Sequence, residues 1–474
     1  MKTYANPADK TNFLQSLMHM IKGNLGTGIL AMPASFSHCG LVGASIGLPI
    51  LCLIAAYCVH LLVRSSQHLE NKMKWSHLEY AELAKGSFKT GPPWIRPYSG
   101  LMCKLVDSIL VICQMGICCV YLVFIVDNVT SILATYNITV TKNYLFLAIL
   151  PVALLLAYIR TLKRLAIASA CANMLQAAGL AIVVEYLLRD MPSQPKVEYF
   201  KPASEIALGF GSAMFAFEGI SVVLPIYTRM KRQEQMGGLM GLINLSYTFL
   251  LFLYMLIGVL GYLRFGSLVE GSITLNLPKQ PLYDIVRAIF TVSLFLSYPL
   301  QFYVPNEIIW GYVSSKFMIE PVPELSPQKP RSQETQAALA LTKRAKRHAR
   351  YEYYCRTILV LLTFVLAVSV PKLNLMMDFF GSISGTALSI TLPPLIHLVA
   401  FWEDTSGRSR VLMVIMDSVL ILFGLVASAN GSYFSLMEII KSFSNDPHSH
   451  HHAATMPTNM FANATTTLSP LTTH

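Results

Sequence analysis

The chain has 474 residues, of which 54% are apolar and only 13% charged, with a formal net charge of +11. Soluble domains carry roughly 25% charged residues, so the composition excludes a water-soluble globular protein. The basic excess lies between apolar segments, which points to membrane topology and away from nucleic acid.

Residues 1–13 are polar and read as a cytoplasmic N-terminus with no cleavable leader, the first apolar segment serving as its own signal anchor. Stretches of ~20 apolar residues, enough to cross a ~30 Å hydrocarbon core, then recur along the chain. About eleven spans are expected, over residues 14–36, 41–63, 105–126, 144–159, 166–187, 206–226, 239–263, 285–310, 358–370, 374–401 and 411–429. The ninth is short as written and is expected to begin upstream, near Tyr353. Together they form one all-α transmembrane domain over residues 14–440, with a Pro-, Gln- and Lys/Arg-rich cytoplasmic linker at 316–352. The basic run at 343–350 either fixes topology or touches anionic lipid. Residues 441–474 are Thr-, Asn- and His-rich and read as a disordered outer tail, whose histidine tract at 448–452 is at most a weak metal binder.

With the N-terminus inside, inner segments hold 26 of the 36 Lys and Arg residues and outer segments 8, with Lys22 and Arg287 inside spans. This is the positive-inside pattern, and it leaves the C-terminus outside or luminal. Sequons at Asn137 and Asn463 fall on that same side and are candidate glycosylation sites. Of nine cysteines only Cys39 lies near an outer loop, so no structural disulfide is expected. The others are ordinary packing residues.

Two spans are interrupted alike. The first contains Gly23-Asn24-Leu25-Gly26-Thr27-Gly28 and a short apolar run to Pro33; the sixth contains Phe215-Ala216-Phe217-Glu218-Gly219 and a short run to Pro225. They stand five spans apart, the pattern of a midplane transport site in an inverted repeat. Backbone freed inside a membrane is tolerated only where a polar cavity or ligand satisfies it, and the N-terminus of a half-helix suits a carboxylate. The alternative is that these glycines allow close helix packing.

Ionisable residues within spans are costly and tend to be functional. His19 and Lys22 share a helix face. Lys22 disfavours the imidazolium and an approaching carboxylate favours it, so His19 is either a proton switch or a neutral histidine hydrogen-bonded within the bundle. Glu218 either pairs with Lys22, or accepts a substrate amino group. Arg287, Asp284, Asp107 and Asp417 lie near span ends and are expected to snorkel.

The stretches HMIKGNLGTGILAMP from His19, QMGICCVYLVFIVDN from Gln114 and FAFEGISVVLP from Phe215, with the later GYLRFGSLVEGSITLNLP and SYPLQFYVPNEII, closely resemble the proton-coupled amino acid transporter family, a branch of the amino acid/auxin permeases. The resemblance runs in order from about Asn12 to Phe443. It implies a five-plus-five inverted repeat of the bacterial leucine transporter type plus one extra helix. It also implies proton symport of small neutral amino acids such as glycine, alanine or proline, with the proton as coupling ion and no other cofactor.

In that family the first-span histidine is tied to proton coupling, and His19 matches its position, with Lys22 beside it. Gly26, Thr27 and Gly28 would hold the substrate carboxylate, near the Tyr121 hydroxyl. Phe215, Phe217, Glu218 and Gly219 would line the opposite side, the aromatics limiting side-chain size. Ser297 and Tyr298 are weaker candidates. Some relatives carry paired outer-loop cysteines, and this chain has none in the loops after the third and seventh spans. A membrane-resident amino acid sensor with little net flux would use the same pocket. No metal spacing, nucleophile motif or phosphate loop points to an enzyme, and no repeated filter segment to a channel. Plasma membrane and lysosomal or late endosomal membrane fit the topology alike.

Overall fold

A computed structural model describes residues 10–74, 78–159, 162–189, 191, 196–316, 331–370 and 372–444, with backbone alone for 162–167 and 331–346. Asn463 and the histidine tract lie outside the described residues.

The helices are α1 (Phe13–Asn24), α2 (Met32–Cys39), α3 (Leu41–Met73), α4 (Tyr80–Thr90), α5 (Ser99–Thr135), α6 (Lys142–Ala157), α7 (Leu162–Arg189) and α8 (Ala203–Ala216). They continue as α9 (Val223–Arg229), α10 (Leu242–Phe265), α11 (Pro281–Lys316), α12 (Arg331–Ser369), α13 (Leu373–Phe380), α14 (Leu392–Phe401) and α15 (Gly407–Ser444). Among the described residues, nine helices or helix pairs are long and apolar enough to cross a membrane. Two of the expected eleven spans fall outside that set. The first is divided between α1 and α2, and the fourth is the 16-residue α6.

The protein is a polytopic α-helical membrane protein. Its helices are apolar around most of their circumference because lipid, and not water, covers the outer face. α15 shows this plainly: Val411, Leu412, Ile415, Val419 and Leu422 stand exposed while Asp417, Gly424, Gly431 and Ser435 turn inward. Inside, α2 packs on α8 and α10, α5 on α11, α13 on α8, and α14 on α3 and α15.

At the end carrying the basic loops, the chain before α1 bridges to the end of α9, Thr11 N donating to the Arg229 carbonyl at 2.8 Å and Lys231 N to the Thr11 carbonyl at 3.0 Å. Lys72 and His68 of α3 meet Asp404 there at 2.6 and 2.9 Å. At the far end, Gly40 turns the chain at φ +78° from α2 into α3, and Leu41 N donates to the Glu198 carbonyl at 2.9 Å. A side chain at Gly40 would strike the backbone of Tyr199 and Phe200, so position 40 needs glycine twice over.

The structure departs from the sequence reading in three places. α12 begins at Arg331, so the basic run at 343–350 lies on the helix that becomes the ninth span instead of on a linker. α4, read as part of a loop, is an amphipathic helix seated on α5 and α14, and its Tyr80 hydroxyl donates to the Leu388 carbonyl at 2.6 Å. Arg287 and Asp284 do not snorkel. They are buried and paired at 2.7 Å, and Arg287 also donates to the carbonyls of Thr274, Leu277 and Pro278. Asp417 is likewise buried, 2.8 Å from Nδ1 of His397. Only Asp107 keeps its expected place, half-buried and accepting from the Tyr312 hydroxyl at 2.7 Å.

Candidate functional site

Both expected interruptions are present. α1 stops at Asn24, Leu25 is extended, Gly26 has φ −131° and ψ −147°, and a 3-10 turn over Thr27–Ala31 leads into α2. α8 stops at Ala216, Phe217 and Gly219 leave helical geometry, and a turn over Ile220–Val222 leads into α9. Each break exposes carbonyls at the end of one half-helix and N–H groups at the start of the next, so the chain places two dipole ends of each sign in the middle of the bundle.

The breaks touch. A Cβ built on Gly28 would lie 2.5 Å from the Ala216 Cα, and one on Gly219 would overlap the Asn24 side-chain amide. The lack of a side chain at Gly28 and Gly219 therefore serves close contact between the interrupted helices, the packing alternative. Gly26 differs. A Cβ there meets the Tyr121 hydroxyl at 3.5 Å, an ordinary contact. Tyr121 is buried on α5 and has the Gln301 amide of α11 as a hydrogen-bonding neighbour. Gly26 and Tyr121 thus face one another, whereas Gly28 faces α8.

One residue missed by the sequence reading ties the breaks together. The hydroxyl of Tyr254, fully buried on α10, lies 2.8 Å from the carbonyl oxygens of both Asn24 and Ala216, the last residues of α1 and α8. Its single proton bonds to one of these at a time. A tyrosine in an otherwise apolar span carries no sequence signal that separates this duty from packing.

Glu218 is buried beside Cys113 of α5, and its Oε1 has no hydrogen-bond partner. Among the described residues it makes no ion pair, so the pairing with Lys22 is not formed. Thr27 Oγ1, Asn24 Oδ1 and Gln114 Oε1 are further buried oxygens without partners. Native interiors leave few such atoms, and each calls for an explanation such as a ligand or water. Phe215 is buried against Gly381 of the tenth span. Phe217 turns instead into α10, stacked with Tyr247 at 6.2 Å and edge-on to Tyr254 at 5.2 Å. Tyr298 lies against Phe302 at 6.0 Å and beside Cys118 and Thr363, between α5 and α12, and Ser297 is half-buried.

His19 is exposed on α1, with Lys22 and Arg229 as its charged neighbours. This placement differs from a histidine hydrogen-bonded within the bundle. Asn137 is exposed at φ +58° in the turn after α5.

A bundle with two unwound helices in contact at its middle, lined by unpartnered oxygens, defines a class: multi-pass membrane proteins that take a small polar solute. The chain belongs to the transmembrane amino acid transporter protein family, whose pattern matches residues 9–437. It is 29% identical over 434 residues to the proton-coupled amino acid transporter-like protein pathetic of Drosophila melanogaster, covering 91% of this chain and 86% of that one. It is 24% identical over 455 residues to the probable amino acid transporter skat-1 of Caenorhabditis elegans, covering 94% of both. The crystal structure of MhsT in complex with L-phenylalanine superimposes with a TM-score of 0.40 at 11% identity, over 94% of this chain and 99% of that one.

Proposed function

We propose that the protein is a secondary active transporter that moves small neutral amino acids of the glycine, alanine or proline type by proton symport. The observation that carries this reading is the juxtaposition of Gly26 with the Tyr121 hydroxyl at the first break, next to the buried, unpaired Glu218 of the second. The N-terminus of the Thr27–Ala31 turn and the Tyr121 hydroxyl suit a carboxylate. The Glu218 carboxylate, which pairs with no cation among the described residues, suits an ammonium. Those are the two charges of a zwitterion. The close approach of Gly28 to Ala216 leaves little space beside the breaks and suits a substrate with a small side chain. His19, between two cations toward the basic end, serves as a proton-coupling group with Lys22.

The test is uptake of radiolabelled glycine and proline into proteoliposomes, with and without an inward proton gradient. Accumulation that needs the gradient supports proton symport. Saturable binding without accumulation makes the protein a sensor and overturns transport.

A further inference from the structure

A second buried carboxylate stands apart from the two breaks. Asp378, on α13 near the far end of the tenth span, has no exposed surface. Its Oδ1 accepts a hydrogen bond from Ser212 Oγ of α8, and its Oδ2 has no partner. One turn on, the Ser382 hydroxyl is also fully buried and unpartnered. The neighbours around this point are known from each packed element. α8 presents Ser212 and the backbone of Gly211, α15 presents Gly431, and α2 presents the Cys39 thiol, the one titratable group near it among the described residues; α5 meets the adjacent Phe380 through Gly116. Among the described residues no lysine, arginine or histidine pairs with Asp378.

A buried carboxylate without a cation costs several kcal/mol if charged. The neutral acid carries an O–H in place of the charge and can donate it. The helices pack tightly here: a Cβ on Gly211 would strike the Asp378 backbone carbonyl and the Ser382 hydroxyl, and one on Gly431 the same hydroxyl. The helix winds into π geometry less than a turn after Asp378, over Gly381–Gly385 and Ala387–Thr391, a local distortion found preferentially at functional sites. α8, which Asp378 grips through Ser212, is the helix that ends at the second break.

We propose that Asp378 is a proton-binding site that couples protonation to the docking of α8 on the tenth span. This rests on the transport reading above. A hydronium ion reaching the site from the far side gives a proton to a carboxylate oxygen: its own O–H bond breaks, leaving water, the carboxyl O–H bond forms, and the neutral acid allows α8 and α13 to close a dry contact. Release breaks the same O–H bond and returns the proton to water on the opposite side. The site is separate from His19, which lies on α1 toward the basic end.

The experiment compares wild type, Asp378→Asn and Asp378→Glu in proteoliposomes. Two fluxes are measured with radiolabelled glycine: accumulation under an inward proton gradient, and exchange against unlabelled glycine at equal pH. Asp378→Asn is expected to keep exchange and lose the gradient-driven component, and Asp378→Glu to keep both with a displaced pH profile. A gradient-driven flux in Asp378→Asn with the wild-type pH profile overturns the proposal, as does wild-type accumulation that follows sodium instead of protons. Wild type with neither flux sinks the transport reading itself. Proton binding is then decided separately by infrared difference spectra between acid and neutral pH. A protonated-carboxyl band present in wild type and absent in Asp378→Asn supports the site, and a band unchanged by the substitution overturns it.

Discussion

Gly28 and Ala216 meet backbone to backbone, with the Ala216 Cα where a Gly28 side chain would begin. Two interrupted helices from distant parts of the chain are thereby held in register, and the neighbouring Gly26 is left to face the Tyr121 hydroxyl. Glycines two residues apart thus have different duties, and substitution separates them.

Gly28→Val is expected to fail in folding. Overpacking a tight contact costs about 1–3 kcal/mol or more, and here the opposing atoms are backbone that has no alternative rotamer. Gly26→Ala is expected to leave thermal stability in detergent near wild type and to weaken substrate binding. Melting curves and glycine binding on the two variants check both halves; a Gly26→Ala protein with unchanged affinity removes that position from the site.

Tyr121→Phe is expected to lower affinity for glycine and, by taking the hydroxyl from the Gln301 amide, to lower stability by no more than about 1–3 kcal/mol. A hydrogen bond to a charged group contributes about 1.5–3 kcal/mol, roughly 10- to 100-fold in affinity. Binding titrations of the purified variant measure it.

Tyr254→Phe removes the one hydrogen bond that the carbonyl ends of α1 and α8 share. A buried acceptor left without a partner costs about 1–3 kcal/mol, so the melting temperature falls, and both breaks lose the residue that spaces them. Reduced transport together with reduced stability is the expected pair of outcomes. Wild-type values for both would show that Tyr254 only fills space.

His19→Ala is expected to abolish acid stimulation of uptake while the protein still reaches the membrane. Uptake measured across an external pH series, with surface labelling in parallel, checks it. Persistence of the acid response rules His19 out of coupling.

The clasp at the basic end gives a control. The Lys72 ammonium bonded to Asp404, helped by His68, holds that carboxyl below its ordinary value. A depressed carboxyl adds stability above its unfolded value of about 4 and loses it only as pH falls through the lower folded value. Mildly acidic pH therefore leaves the clasp intact, and Asp404→Asn should retain the acid stimulation of uptake. As an exposed pair it contributes no more than roughly 1 kcal/mol, so the melting temperature should move little. Loss of the acid response in Asp404→Asn would locate the pH sensitivity in the clasp.

The sequence by itself determined the membrane class, most span positions and both helix breaks. Each follows from local chemistry: hydropathy over some 20 residues measures transfer into lipid, and Gly23 to Gly28 and Glu218-Gly219 mark where regular winding stops. Only the tertiary structure decided which residues face the breaks. Tyr254 and Asp378 sit in apolar spans, with partners as distant in the chain as Asn24, Ala216 and Ser212. The same holds for Arg287, which near a span end reads as a snorkelling residue until the loop carbonyls of Thr274, Leu277 and Pro278 are seen folded onto it. Hydropathy reports how apolar a helix is as a whole. The face a side chain occupies, and the group it meets there, depends on how helices far apart in sequence come to pack.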